Sequence, residues 1–152
     1  MDHTDRKILQ LIQEDANLTH KQIAGLINMS TTPVYERIKR MERSGIISKY
    51  VALLDPTKIE RSFVVYTSIT LKEHALEFLE LFEKEINQFD EVQECYHMAG
   101  QFDYLLKIVV TDINAYHQVV KGKLATMNNI GNLQSSFVMG EVRKTTKYNL
   151  TS

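Results

Sequence analysis

The spacing of apolar residues changes near residue 60. Before it, they recur every three or four positions, the period of an amphipathic helix. After it, stretches alternating every second position are separated by further helical stretches. Ile8, Leu9, Leu11 and Ile12 give one apolar side to a first helix expected from about Asp2 to Glu14. Thr19 can cap a second helix, with Gln22 at capping-box spacing, and Ile23, Ala24 and Ile27 form its stripe. Asn28-Met29-Ser30 interrupts the period. A third helix opens within Ser30-Thr31-Thr32-Pro33, where hydroxyls can cap and proline is tolerated in the first turn. Val34, Ile38 and Met41 turn inward there, and Gly45 stops the helix. The second and third helices read as a helix-turn-helix, and the first supplies the wall two short helices need to bury a core.

Ile46 to Leu54 is β-rich and ends at the turn signal Asp55-Pro56, which predicts a short strand or wing. Further strands are expected at Phe63–Leu71, Val92–Ala99, Asp103–Val110 and Leu133–Val142. Helices are expected at His74–Phe89 and from Asp112 to about Thr126, with Gly100-Gln101-Phe102 as a turn. The order β-α-β-β-α-β is that of a ferredoxin-like domain. The fold class is therefore α+β: a winged helix-turn-helix domain over residues 1–55, a linker over 56–62, and a ferredoxin-like domain over 63–152. Two helices cover one face of a four-stranded sheet, and apolar residues fall on both faces. Dimerisation through the bare face is the simplest cover, and it would present two recognition helices to double-stranded DNA.

Composition narrows the function. The net charge of −1 excludes a polycation, but the charge is unevenly placed. Arg37 to Lys49 holds five basic residues against Glu42, whereas Glu73 to Glu94 holds eight acidic residues against Lys84. Cys95 is the single cysteine, so an internal disulfide and a multi-thiolate zinc site are both excluded; a buried, inert thiol is expected. The start, Met1-Asp2-His3-Thr4-Asp5, is unlike a signal peptide, and no apolar run approaches the roughly 20 residues a membrane span needs. A cytoplasmic, membrane-free protein is expected.

The outward residues of the helix-turn-helix make DNA the first partner to consider. In such a unit the start of the second helix enters the major groove. Ser30, Thr31, Thr32 and Tyr35 are then candidates near base edges. Lys39, Arg40 and Arg43 suit phosphates, and Lys21, Gln22 and Lys49 can add backbone contacts. Arg37, beside the inward stripe, can instead pair with an internal acid.

Several motifs together resemble the Lrp/AsnC (feast/famine) family of transcriptional regulators. They are Asp2-x-x-Asp5-x-x-Ile8-Leu9, Leu18-Thr19, Ile23-Ala24, and Met29-Ser30-x-x-x-Val34-x-x-Arg37-Ile38-x-x-Met41-Glu42-x-x-Gly45-Ile46-Ile47. Leu54-Asp55-Pro56, Gly100-x-x-Asp103-Tyr104-Leu105-Leu106-Lys107 and Ser135-Ser136-Phe137-Val138 follow in order. The resemblance implies a sequence-specific regulator that forms dimers and then octamers. It further implies that a small effector, often an amino acid, alters its assembly or DNA affinity. The implied effector residues are Gly100, Gln101 and Phe102, whose amides suit a carboxylate, and Asp103, which suits an ammonium. Thr126, Ser135 and Ser136 can complete the pocket. By spacing alone, Gly100-x-x-Asp103 reads as a plain β-turn with an Asx bond, and only the resemblance turns it toward a ligand.

No cofactor or metal is expected. The five histidines are scattered, and neither a phosphate loop nor a nucleophile–base arrangement is present. Two other readings remain open: a sirohaem-decarboxylase-like enzyme of the same architecture, which would take a tetrapyrrole, and a ligand-sensing module without DNA binding.

Overall fold

The computed structural model describes residues 1–150. Met1–Leu53 and Val142–Leu150 form one compact unit, and Leu54–Glu141 forms a second. Residues 142–150, expected in the second domain, thus group with the first; Thr151 and Ser152 lie outside the described residues.

In the N-terminal unit, α1 (His3–Glu14), α2 (His20–Leu26) and α3 (Thr31–Arg43) pack around Ile8, Leu9, Ile23, Ala24, Val34, Ile38 and Met41. The expected boundaries and inward stripes are reproduced. Asp2 and Asp5 cap α1 reciprocally, as Thr19 and Gln22 cap α2. Asn28 makes the turn between α2 and α3 at φ 55°, a left-handed conformation that asparagine tolerates. Ser30 holds the N-cap of α3, but its side chain makes no capping hydrogen bond. Gly45, at φ +75°, takes the chain off the helix in the left-handed conformation that favours glycine.

Beyond it the structure departs from expectation. Residues 46–54 form no strand. Ile47 packs back against the helical core, while Val51, Leu53 and Leu54 stay exposed. A strand needs a ladder partner for its N–H and C=O groups, and the described residues offer this segment none. The tail fills part of the remaining surface: Tyr148 exchanges two hydrogen bonds with the Gln13 side chain, and Arg6 donates to the Leu150 carbonyl.

In the second unit the strands are β1 (Phe63–Leu71), β2 (Val92–His97), β3 (Tyr104–Val110) and β4 (Ile130–Phe137), antiparallel in the order β2-β3-β1-β4. Helices α4 (Leu76–Ile86) and α5 (Ile113–Gly122) cover one face, burying Val65, Ile69, Phe82, Ile86, Tyr104, Leu106, Ile108, Tyr116 and Val119. This is the expected βαββαβ arrangement.

Several of its boundaries move. Helix α4 is shorter than residues 74–89: Glu73 is tied through both its backbone N–H and C=O to the Asn129 side chain, so the chain stays out of helix there. Helix α5 ends at Gly122, a weak helix former, and a one-turn 3₁₀ helix at Leu124–Thr126 follows. The last strand begins at Ile130 and ends at Phe137, not at 133 and 142. Pairing with β1 decides this: Phe137 already lies opposite Val65, near the start of β1, and little of β1 remains beyond it.

Candidate nucleic-acid interface and ligand-binding turn

The start of α3 carries Thr31, Thr32 and Tyr35 on its outer side, opposite the buried Val34, Ile38 and Met41. Tyr35 is 41% exposed and meets the His20 ring edge-on, with centroids 5.2 Å apart. Both rings therefore stand on the surface where base edges would lie. Among the reading-face candidates, Ser30, Thr31 and Thr32 remain open to solvent.

The basic residues divide into two groups. Asp5 is 1% exposed, and its carboxylate accepts from Arg37 at 2.8 Å and from Arg40 at 2.7 and 2.8 Å. Arg37 also reaches Asp2 at 2.6 Å. Burial pushes the Asp5 carboxyl up, yet the Asp2 N–H, Arg37 and Arg40 together hold it below its ordinary value. The Arg37 guanidinium is held above its own by Asp2 and then Asp5. Arg37 therefore pairs internally, as its position beside the inward stripe implied. Arg40, expected at phosphate, has the same internal partner and ties α3 to α1. A desolvated carboxylate needs such partners, and two fork-shaped guanidiniums supply them.

Lys39 is engaged too: its Nζ lies 2.7 Å from Glu42 Oε2 and 5.9 Å from the Tyr35 ring centroid. Gln22 uses its side-chain oxygen to accept from Thr19 in the capping box of α2. Arg43, Lys21 and Lys49 make no ion pair with any described residue, so their charge faces solvent.

In the second unit, Gly100 takes φ +144° in the turn between β2 and β3. The N–H groups of Gly100, Gln101 and Phe102 donate to no described residue. Free N–H groups in a turn are available to donate to an anionic oxygen. Asp103 closes the turn. Its Oδ2 accepts from the Leu71 N–H at 2.7 Å and contacts His74 Nε2 at 3.0 Å. Burial pushes its carboxyl up, and the Leu71 N–H and His74 more than reverse that, leaving it below its ordinary value. The plain-turn reading is thus too simple: the Asp103 carbonyl closes the loop by accepting from the Met98 N–H, while its carboxylate bonds across to the end of β1 and to His74.

The remaining effector candidates are dispersed. Ser135 points to the helix-covered face, where Tyr116 joins its hydroxyl to that of the fully buried Thr67. Ser136, one residue on, lies on the opposite face, opposite Tyr66. Thr126 donates to the Lys123 carbonyl and lines a cavity of about 310 Å³ between α4 and the 3₁₀ turn, together with Phe78, Phe82 and Met127. Sequence reasoning missed Leu71 and His74, the partners of Asp103. They belong to other segments, and no local spacing marks them.

Two further observations bear on chemistry. Among the described residues, no group of three or more His, Cys, Asp or Glu side chains is placed to hold a metal ion, and no helix is long and apolar enough to cross a membrane. Cys95 is half-buried against the helix-side core, and burial pushes its thiol up, away from the reactive thiolate.

A helix-turn-helix with an open reading face, followed by a sheet domain with an anion-suited turn, defines a DNA-binding regulator that carries a ligand-binding domain. Residues 1–48 match the winged helix-turn-helix DNA-binding domain, and residues 64–148 match the Lrp/AsnC ligand-binding domain. The leucine-responsive regulatory protein of Escherichia coli K12 is 34% identical over 147 residues, covering 97% of this chain and 90% of that protein. An AsnC-family transcriptional regulator from Agrobacterium tumefaciens superposes with TM-score 0.94 at 41% identity, covering 99% of this chain and 97% of that one. A Neisseria meningitidis transcriptional regulator solved as a complex with L-methionine gives the same TM-score at 33% identity, over 99% and 97% of the two chains. The chain belongs to the Lrp/AsnC family of transcriptional regulators. Its relatives are named as regulators, not as enzymes, which answers the decarboxylase alternative.

Proposed function

We propose that this regulator reads a specific duplex sequence through Thr31, Thr32 and Tyr35 at the start of α3, and that an amino acid bound in its second unit changes its DNA affinity or assembly. The observation that carries the DNA half is the open outer face of α3, with Arg43, Lys49 and Lys21 as unpaired cations around it. Cations of this kind anchor the backbone, while the threonines and tyrosine select the site.

The three free amides after His97 favour a carboxylate ligand, and the L-methionine bound by the Neisseria relative supports an amino acid. Asp103 would then serve the ammonium by sharing its carboxylate with His74. Thr126, Ser135 and Ser136 are too dispersed to join Asp103 within one chain, so a complete pocket draws on a neighbouring copy. The bare sheet face, with Val64, Tyr66, Tyr96, Leu105 and Val109, suits a dimer contact, and further assembly, to an octamer in this reading, would bring dimers together at the turn.

The test is a footprint on the DNA upstream of the protein's own gene, repeated with each of the twenty amino acids. Protection that one amino acid alters, and that Asp103→Ala makes indifferent to it, is the expected result. Protection unaffected by all twenty removes the effector half, and absence of protection at low salt removes the DNA half.

A further inference from the structure

On the outer face of α3, Lys39, Glu42, Tyr50 and His20 form a connected group of side chains around Tyr35. Glu42 has both carboxylate oxygens occupied: Lys39 Nζ lies 2.7 Å from Oε2, and the Tyr50 hydroxyl donates to Oε1 at 3.0 Å. The Lys39 ammonium also stands 5.9 Å from the centroid of the Tyr35 ring, which His20 meets edge-on. Tyr50 comes from the strandless segment after α3, three residues before the chain leaves this unit at Leu53.

We propose that Glu42 and Tyr50 form a clamp holding Lys39 over Tyr35, so that Lys39 positions an aromatic reading residue instead of neutralising a phosphate. The proposal rests on α3 being the DNA-reading helix. It concerns which of that helix's cations are available to the DNA backbone.

A free lysine on this face would be a compact charge on a flexible stem, able to reach phosphate next to any sequence. Such contacts raise affinity for all DNA equally and so add nothing to discrimination. Here the ammonium already has a carboxylate. Reaching a phosphate would break a charge-assisted hydrogen bond and leave Glu42 as an uncompensated negative charge near the DNA. An i,i+3 ion pair on an open helix face is easily exchanged. The Tyr50 hydroxyl is what makes this one harder to exchange, because it fixes one carboxylate oxygen and so presents the other to Lys39. Held this way, Lys39 interacts with the face of Tyr35 while His20 contacts the same ring from another side. The ring's mobility falls, and a rigid aromatic loses less freedom on meeting a base edge. Tyr50 is thus a positioning residue, acting on Tyr35 through Glu42 and Lys39. The group lowers sequence-blind attraction and sharpens reading, the ratio that matters when non-specific sites are in great excess.

The experiment uses the full chain and two duplexes of equal length, one selected from a random pool by the wild-type protein and one scrambled. Affinity for each is measured across a salt titration. Lys39→Gln is expected to leave the log–log salt slope unchanged and to narrow the preference for the selected duplex. Glu42→Gln should free Lys39, tighten binding to both duplexes and steepen the slope by about 0.9, the contribution of one added phosphate contact. Tyr50→Phe changes no charge, yet should move slope and preference in the direction of Glu42→Gln by a smaller amount. Thermal melts of each variant separate these effects from loss of folding, which would lower binding without steepening the slope. If Lys39→Gln flattens the slope by about 0.9 on both duplexes equally, Lys39 is a phosphate contact and the clamp is overturned while α3 still reads DNA. Unchanged slope and preference in Tyr50→Phe removes Tyr50 from it. Should the random pool yield no duplex that the wild-type protein prefers, the reading of α3 falls, and the clamp with it.

Discussion

Among the described residues, each unit buries one polar side chain apart from its tyrosines, and the two satisfy it by different means. In the N-terminal unit the group is a charge, Asp5, held by Arg37, Arg40 and the Asp2 N–H. In the second unit it is a hydroxyl, Thr67, held by Tyr116, which also binds Ser135. A three-helix unit with a small apolar core ties its outer helix to its first helix with ions whose outer ends stay wet. A sheet with two helices has enough apolar area that a chain of neutral hydroxyls suffices between β1, α5 and β4. The charged solution is tighter but depends on pH. It also ties two arginines of α3 to Asp5, so the basic appearance of the helix overstates the charge it leaves unpaired.

The largest expected effect tests the charged centre. Asp5→Ala leaves Arg37 with Asp2 alone and Arg40 without its carboxylate, and should destabilise the N-terminal unit by about 2 kcal/mol, below the range for a fully buried pair because both guanidiniums keep water. Calorimetry should show an early transition, with the second unit melting as before. Next comes the hydroxyl chain. Tyr116→Phe strands the buried Thr67 hydroxyl and should cost the second unit about 1–2 kcal/mol, read from its denaturation midpoint. If both substitutions shift one shared transition, the two units unfold together and the contrast between them fails.

Acid distinguishes the centres further. Against burial, the Asp2 N–H, Arg37 and Arg40 hold the Asp5 carboxyl below its ordinary value in the folded chain, so its contribution is complete above the unfolded value and is lost as pH falls through the folded one. Melts below about pH 4 should therefore lose less stability in Asp5→Asn than in the wild type, measured against each protein's own value at pH 7. Ser135→Ala should cost the second unit less than about 1 kcal/mol, because Tyr116 keeps Thr67 satisfied. Smallest of all in stability is Arg43→Ala, which should leave both melts in place. It should lower the DNA salt slope by about 0.9, whereas Arg40→Ala should weaken binding together with the melt.

Much of this was legible along the chain, and the reason is local. Capping boxes at Asp2–Asp5 and Thr19–Gln22, the stripe Val34-Ile38-Met41 and the alternation of Phe63–Leu71 depend on residues close in sequence, so spacing reveals them. What spacing misjudged depends on partners. The β-rich run after Gly45 has strand propensity but no described strand to pair with. The last strand lies where β1 offers hydrogen bonds, several residues before the place its apolar pattern suggested. Lys39, Arg40 and Arg43 look alike on a helical projection. One is clamped by Glu42, one bound to Asp5 across 35 residues, and one open.

The sequence by itself determined the class of each unit, the helix-turn-helix with its inward stripe, and the order of strands and helices, because periodicity and turn chemistry act over a few residues. Tertiary structure decided which charges are spent inside, where the strands begin and end, and that Asp103 bonds to Leu71 and His74. Those outcomes depend on groups distant in sequence competing for the same hydrogen bonds, and only the folded chain determines which of them meet.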